Sequence, residues 1–540
     1  MTTYSISCEN AIAITIDLLN KGMTDKAESI FNQIIMDLPE DAHLLHILGG
    51  IAYKLEKMEL SINLLNHAIQ KNPLDTNLYN YLAALLKLLG RIDEALKLYE
   101  HAISINPNLP EVHNNIGLIF KLKKDVNKSI EYYKRAISIN PNYAEAHYNL
   151  GITLNDIGEI DEAIKAFQSV VSINPKFDSI YIKLGNAYET KNEWELAIKY
   201  YQKAIDDNPN IPETYNSLGL AYKNKDMLKE AENAFKKAIS FNPNYFEAHN
   251  NLGNIFVLQR RLDESISCYN QVIQIKPDYV TAYCNLAISL KDMGDKDRAI
   301  STFKKVIELE PQNFYAQHML NALSGNQSEG APKEYVKLMF DGYSKKFEEH
   351  LSEFLEYQVP TLLREIIEPF INKECHKKTS SFQNIIDLGC GTGLAGLSFR
   401  DLAAHLTGVD VSDKMIGEAK KKNIYDDFHI SEIVDFLRST DLKYDVFIAS
   451  DVLVYLGNLK YLFDAVYKSA ADNALFIFSI ELSQKDDYAL NPTGRYAHSK
   501  TYIEFLANKY KFYIREAKDA KLRKEKKQWV AGCIFVLQKI

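Results

Sequence analysis

Tryptophan occurs twice and cysteine six times in 540 residues. The thiols, at Cys8, Cys268, Cys284, Cys375, Cys390 and Cys533, show neither paired spacing nor zinc-ligand spacing. A disulfide framework and a metal site are therefore not expected, and small buried thiols of a reducing compartment, the cytoplasm, are. Long apolar runs are missing too. No stretch approaches the roughly 18 residues of a membrane span, and the opening MTTYSISCENAIAITIDLL has no basic segment ahead of a continuous apolar one, so neither secretion nor membrane insertion is expected. Basic blocks are absent before the last thirty residues or so, and 63 Lys+Arg against 71 Asp+Glu leave a net charge of -8. That balance argues against a phosphate-backbone binder, and nucleic acid is not an expected partner.

Proline is scarce as well, with 15 in the chain, and this makes its placement informative. Nine prolines stand at positions 39, 73, 107, 141, 175, 209, 243, 277 and 311, each 34 residues from the next. Ten residues after most of them comes a small residue, as at Gly49, Ala83, Gly117, Gly151, Gly185, Gly219, Gly253 and Ala287, which lets two helices approach. Further small positions follow twelve and nineteen residues later, as at Ala163 and Val170. The pattern resembles the tetratricopeptide-repeat family, in which two antiparallel helices form each unit and proline closes the second. Nine units of 34 residues span 8–313, an α-solenoid, and FYAQHMLNALSG, 314–325, reads as a capping helix ended by Gly325.

Such an array presents the first helices of its units on one concave face. Asn115, Asn149, Asn251 and Asn285 stand two residues before the small position, with Asn80, Asn114, Asn216 and Asn250 one residue earlier. An amide is donor and acceptor at once, so a ladder of them can hold an extended protein or peptide backbone. The pattern resembles the asparagine-lined repeats of O-linked N-acetylglucosamine transferases, with Ile47, Tyr81, Lys183 and Ser217 as interruptions. A solvated polar face is the other reading. Most of the abundant tyrosines, Tyr133 and Tyr201 among them, recur at helix-packing positions and are expected in the core.

NQSEGAPKE, 326–334, reads as a short linker. Residues 335–380 are then expected to form helices, and 381–540 to alternate strand and helix: strands at NIIDL, LTGVDVS, FHIS, YDVFIAS and ALFIFSIEL, then FYIREAKDA and WVAGCIFVLQ as a hairpin joined by KLRKEKKQ. LAGLSFRDLAAH is expected to be helical. This is an α/β Rossmann-like domain with a seven-stranded, mostly parallel sheet that binds its ligand at the carboxyl ends of the strands.

Gly391, Gly393 and Gly396 spell the G-x-G-x-x-G of a dinucleotide turn, with Asp410 at a fitting distance. Three features favour S-adenosylmethionine instead. Asp387 extends the motif to D-x-G-x-G-x-G with Gly389; about 145 residues follow, enough for one domain only; and Asp445 and Asp451 bracket the fourth strand before an aromatic helix start. Glycines admit the cofactor to the backbone, Asp410 accepts from both ribose hydroxyls, Met415 packs on adenine, Glu432 receives the adenine amino group, and Asp387 binds the cofactor's ammonium. Cys390 reads as a core thiol.

FDGYSKKFEEHL, YQVPTLL, DLGCGTGL, TGVDVSDKM, ASDVLVYLGNL and GRYAHS are similar to the class I methyltransferases that bacteria fuse to tetratricopeptide repeats. The resemblance implies a lid helix with Phe340, Tyr343 and Phe347 near the cofactor. GRYAHS follows the fifth strand, where the acceptor belongs, which makes Arg495 an anchor and Tyr496, His498 and, on the fourth strand, Asp451 the catalytic candidates. His498 as a structural hydrogen bonder is the competing reading. The basic stretch from Lys518 to Lys527 reads as a solvated turn or a dock for an acidic acceptor. The expectation is a cytoplasmic methyltransferase whose repeats recruit a protein; its rival is a binding scaffold whose methyltransferase domain only senses the cofactor.

Overall fold

The computed structural model describes residues 7–342, 347–349, 351, 355–371, 381–485, 487–525 and 528–540. They fall into two compact units, Met1–Ile255 and Phe256–Ile540. Among the described residues no helix is long and apolar enough to cross a membrane.

In the first unit helix pairs repeat at the spacing of the prolines. Pro110–Leu122 packs on Val126–Ile139, and Ala144–Asp156 on Ile160–Ile173. Several second helices stop at an asparagine just ahead of proline: Asn106, Asn140, Asn174 and Asn208 are all extended, as the clash with the following ring requires. The small position in each first helix has a definite partner. A Cβ at Gly117 would lie 2.6 Å from the Tyr133 ring, and one at Gly151 2.6 Å from Phe167, both rings fully buried. An aromatic sixteen residues on therefore requires the glycine, and Tyr133 and Tyr201 are core as expected.

In the second unit the last repeats lead to a capping helix α1 (Phe314–Ser324), closed by Gly325 at φ +74°. The expected linker is not a tether. Ala331 N–H donates to Tyr455 O (2.9 Å), and Glu329 O accepts from Gly457 N–H (3.0 Å) and Asn458 N–H (2.7 Å), so this strap is fixed to the α/β fold. Two helices follow, α2 (Lys333–Asp341) and α3 (Val359–Ile367), with a single helical turn at Phe347–Glu349 between them.

The α/β fold runs β1 (Phe382–Leu388), α4 (Leu394–Phe399), β2 (Ala403–Asp410), α5 (Asp413–Lys420), β3 (Asp427–Ile430), α6 (Ile433–Ser439), β4 (Tyr444–Ala449), α7 (Lys460–Ser469), β5 (Ala470–Glu481), β6 (Tyr488–Leu490), β7 (Tyr496–His498), α8 (Lys500–Lys509), β8 (Phe512–Glu525) and β9 (Gln528–Lys539). Seven strands form one sheet in the order β3-β2-β1-β4-β5-β9-β8. Pairs among β1 to β5 are parallel, while β9 runs antiparallel to β5 and to β8. Ile385 to Leu388 of β1 are wholly buried, because helices cover both faces of the sheet.

Three elements differ from expectation. The helix at LAGLSFRDLAAH ends at Phe399; a 3₁₀ turn follows, and Ala403 pairs with Phe382 to begin β2. Arg400 fixes the backbone after the stop, its guanidinium donating to the Ala403 (2.9 Å) and Ala404 (3.2 Å) carbonyls. The charged stretch KLRKE is strand and not turn, with Leu522 and Arg523 fully buried. GRYAHS lies in a separate two-stranded ribbon, β6 with β7, which the sequence pattern did not suggest.

Candidate functional site

A cavity of about 530 Å³ opens at the carboxyl ends of β1, β2 and β4. The chain leaves β1 through Gly389 (φ +72°), Gly391 (φ +53°) and Gly393 (φ +91°), backbone that side chains with a Cβ rarely adopt. A Cβ at Gly391 would meet only Phe347, at 3.9 Å, so this is the point where the backbone lies open to a ligand. Gly391 N–H donates to Asp410 Oδ2 (2.9 Å) and Ser412 N–H to Asp410 Oδ1 (2.9 Å), which fixes the carboxylate at the cavity wall. Burial raises the Asp410 pKa, and these backbone donors oppose the rise. Ser412 Oγ donates to Asp341 Oδ1 (2.6 Å) at the end of α2 and accepts from Met415 N–H (3.1 Å), tying that helix to the Asp410 end of the site.

Glu432 also lines the cavity. Its Oε2 caps α6, accepting from Val434 N–H (2.8 Å) and Asp435 N–H (3.0 Å), and burial raises its pKa. Phe340 and Phe347 stand over the cavity 5.8 Å apart, and Phe340 packs edge-on against Tyr455 at 5.5 Å. The third lid residue, Tyr343, lies outside the described residues.

The far wall is an ion-pair network that the sequence concealed. Arg523, 0% exposed, places NH1 on both Asp451 oxygens (2.6 and 2.8 Å) and NH2 on Glu481 and Glu525. Arg495 lines the cavity and pairs with Glu525. Burial pushes Glu525 up, but Arg495 and Arg523 outweigh it and hold that carboxyl below its ordinary value. Tyr357 OH and Ser450 Oγ, 2.8 Å apart, complete the wall with Tyr455. Leu522 and Arg523, adjacent and both fully buried, break the alternation that would have extended the strand through KLRKE, and nothing in the sequence paired Arg523 with Asp451.

Of the remaining sequence candidates, Gly389 and Asp451 line the cavity, and His498, Tyr496, Met415, Gly393 and Asp387 do not. His498 is 0% exposed, its Nε2 bonded to Gly457 O (3.0 Å), and burial lowers its pKa to about 4. It is a buried neutral imidazole and not an acceptor-side base. Tyr496, equally buried, bonds Ser328 Oγ of the strap (2.5 Å). Asp451 does line the cavity, but its carboxylate is committed to Arg523, which corrects the expectation of a free catalytic acid or base. Met415 is 1% exposed on the buried side of α5, and Val411 and Ile433 stand on the wall instead. Gly393 faces Tyr425 (Cβ to ring 3.1 Å) and not the cavity. Asp387, 0% exposed, sits under the glycine turn with its Oδ2 accepting from Tyr425 OH (2.7 Å), and burial raises its pKa to about 7.

In the repeats the asparagines pair across neighbouring units. Asn115 Nδ2 donates to Asn80 (3.2 Å), Asn149 to Asn114 (2.9 Å) and Asn251 to Asn216 (3.0 Å). Asn285 is partly buried on Val280–Met293.

The family model described as a methyltransferase domain matches residues 351–517. TPR-repeat models match 85–124, 119–156, 190–226 and 253–294, and tetratricopeptide-repeat models 64–97, 144–177, 212–245, 234–267 and 280–313. No curated protein matches the chain. Among solved structures, YrrB, titled a TPR protein with an unusual peptide-binding site, is 21% identical, with 34% of this chain and 95% of that one covered and a TM-score of 0.32. PilF of Pseudomonas aeruginosa is 17% identical over 38% and 95%, TM-score 0.33. The Cut9–Hcn1 complex is 16% identical over 55% and 59%, TM-score 0.34.

Proposed function

We propose that this chain, a fusion of tetratricopeptide repeats with a methyltransferase domain, binds S-adenosylmethionine in the cavity beside Asp410 and methylates an acceptor brought to it by a protein partner of the repeats. The observation that carries the reading is Asp410: a carboxylate 8% exposed, already held by two backbone N–H groups and set beside the one glycine of the turn whose missing Cβ leaves open space. Each oxygen retains a lone pair for a ribose hydroxyl, so no reorganisation is needed on binding. Val411 and Ile433 offer apolar surface for a flat base, and Glu432 an acceptor oxygen beside it. When bound, S-adenosylmethionine supplies a methyl group on an activated sulfonium. The chain's own task is then geometric: α2 and the Phe340–Phe347 pair cover the site, and Arg495, Tyr455, Tyr357 and Ser450 line the side left for the acceptor. Alignment of this kind supplies up to roughly 7 to 11 kcal/mol of a barrier in the best intramolecular cases, which makes a dedicated base unnecessary for an unprotonated nucleophile.

The repeat array supports recruitment through its asparagine pairs, which fix amide planes along the first helices of successive units and so present ordered polar groups to an extended peptide. Titration calorimetry of the full chain tests the cofactor assignment. S-adenosylmethionine is expected to bind, NAD is not, and Asp410→Ala should weaken binding at least about tenfold, the loss of hydrogen bonds to a charged group. Undiminished binding by Asp410→Ala, or tighter binding of NAD, would overturn it.

A further inference from the structure

The glycines around the turn have different neighbours. At Gly389 an added Cβ would lie 2.5 Å from Val452 Cγ2, whereas at Gly391 it would enter the open cavity. The rest border one tyrosine. A Cβ at Gly393 would stand 3.1 Å from the Tyr425 ring, one at Gly408 of β2 3.1 Å from that ring, from Phe428 and from Cys390 Sγ alike, and one at Gly396 of α4 would overlap the Tyr425 hydroxyl. Gly393 and Gly396, from the turn and the helix, thus leave the slot that this side chain fills.

The backbone carrying that side chain is clamped on both flanks. Arg400 NH1 donates to Ile424 O (3.0 Å) and to Asp426 Oδ2 (2.5 Å), and Asp426 exchanges bonds with Leu406 of β2: its N–H donates to Leu406 O (2.9 Å) and its Oδ2 accepts from Leu406 N–H (2.7 Å). At the end of this anchored arm the hydroxyl meets Asp387 at 2.7 Å, directly below the turn whose Gly391 N–H is bonded to Asp410.

We infer that Tyr425 is a positioning residue for the cofactor: reaching under the glycine turn from the loop before β3, it packs against Gly393 and Gly396 and holds Asp387 near the end of β1, and so fixes the strand end from which Gly391 approaches Asp410. This rests on the cofactor assignment above. Asp387 is the residue through which the arm acts. Tyr425 on its loop, Asp410 on β2 and the Gly396 N–H on α4 bear on it electrostatically, and its own charge in turn raises the Cys390 and Tyr357 pKa; burial and Asp410 raise the Asp387 pKa, and the tyrosine and backbone donors lower it. A bound cation favours the ionised carboxylate, so affinity for S-adenosylmethionine should fall as pH drops below about 7. Removing the tyrosine hydroxyl removes a donor to the ionised form and should move that fall to higher pH.

Calorimetric titration of the full-length chain with S-adenosylmethionine from about pH 6 to 8.5 tests this, using wild type, Tyr425→Phe and Asp387→Asn. Tyr425→Phe keeps the ring in its glycine slot and is expected to bind about tenfold more weakly at pH 7.5, with its acid-side loss displaced upward. Asp387→Asn keeps the shape and a hydrogen-bond acceptor and should lose the pH step, so it reports even if the first variant is poorly folded. Wild-type affinity and pH profile in both variants would overturn the positioning role while leaving the cofactor assignment in place. Failure of the wild type to bind would overturn that assignment and this inference together.

Discussion

A histidine beside a presumed acceptor site invites a catalytic reading, but the burial of His498 decides otherwise. Its folded pKa of about 4 lies below the ordinary 6.5, so the fold favours the neutral ring, and the unfolded chain binds a proton the folded one refuses. Its contribution is intact above about pH 6.5 and lost on acidification, by about 2 kcal/mol between pH 7 and 5. Thermal unfolding at the two pH values should show an acid-induced drop that shrinks in His498→Gln; an equal drop in both would refute the assignment. Gly391, Asp410 and Glu432 could be singled out in the sequence because each stands at the carboxyl end of one of three consecutive strands, β1, β2 and β3. Phe340 was reached through family resemblance. Tyr357, Tyr455 and Arg523 were not legible, since they come from three distant segments that only the folded sheet assembles. Whether His498 faced cavity or core depended on the β6–β7 pairing, for which three-residue strands leave no periodic signal.

At the scale of elements, the repeats were readable because each helix pair is a local solution repeated at 34 residues. The contact behind the small position makes a quantitative claim. Gly151→Ala would drive a methyl group to 2.6 Å from the Phe167 ring in a fully packed layer, and overpacking of this kind costs about 1 to 3 kcal/mol. Denaturant unfolding should show the loss, and Phe167→Leu in the same chain should restore part of it; a silent Gly151→Ala would mean that the helices separate freely. The β8–β9 hairpin was expected, but its first strand runs on through Glu525 for a physical reason. Lys and Arg in series normally mark a solvated turn, but Arg523 is matched by Asp451, Glu481 and Glu525, and an ion so compensated can sit at 0% exposure inside a strand.

Across the whole molecule, Phe256–Ile540 holds together as one compact unit. The capping helix and strap belong with the α/β fold: His318 Nε2 contacts Gly494 O (2.7 Å), Ser328 contacts Tyr496, and Ala331 and Lys333 stand in the cavity wall. The end of the repeats is thus part of the site's architecture, and recruitment and catalysis are to be tested on the full chain. The decisive measurement is transfer itself. Cell extract is incubated with the protein and methyl-labelled S-adenosylmethionine, and labelled products are identified by mass spectrometry. A labelled acceptor that appears with wild type and not with Asp410→Ala is the predicted result. Binding of the cofactor by wild type with no label above the Asp410→Ala background would contradict the account and leave a cofactor-sensing scaffold in its place.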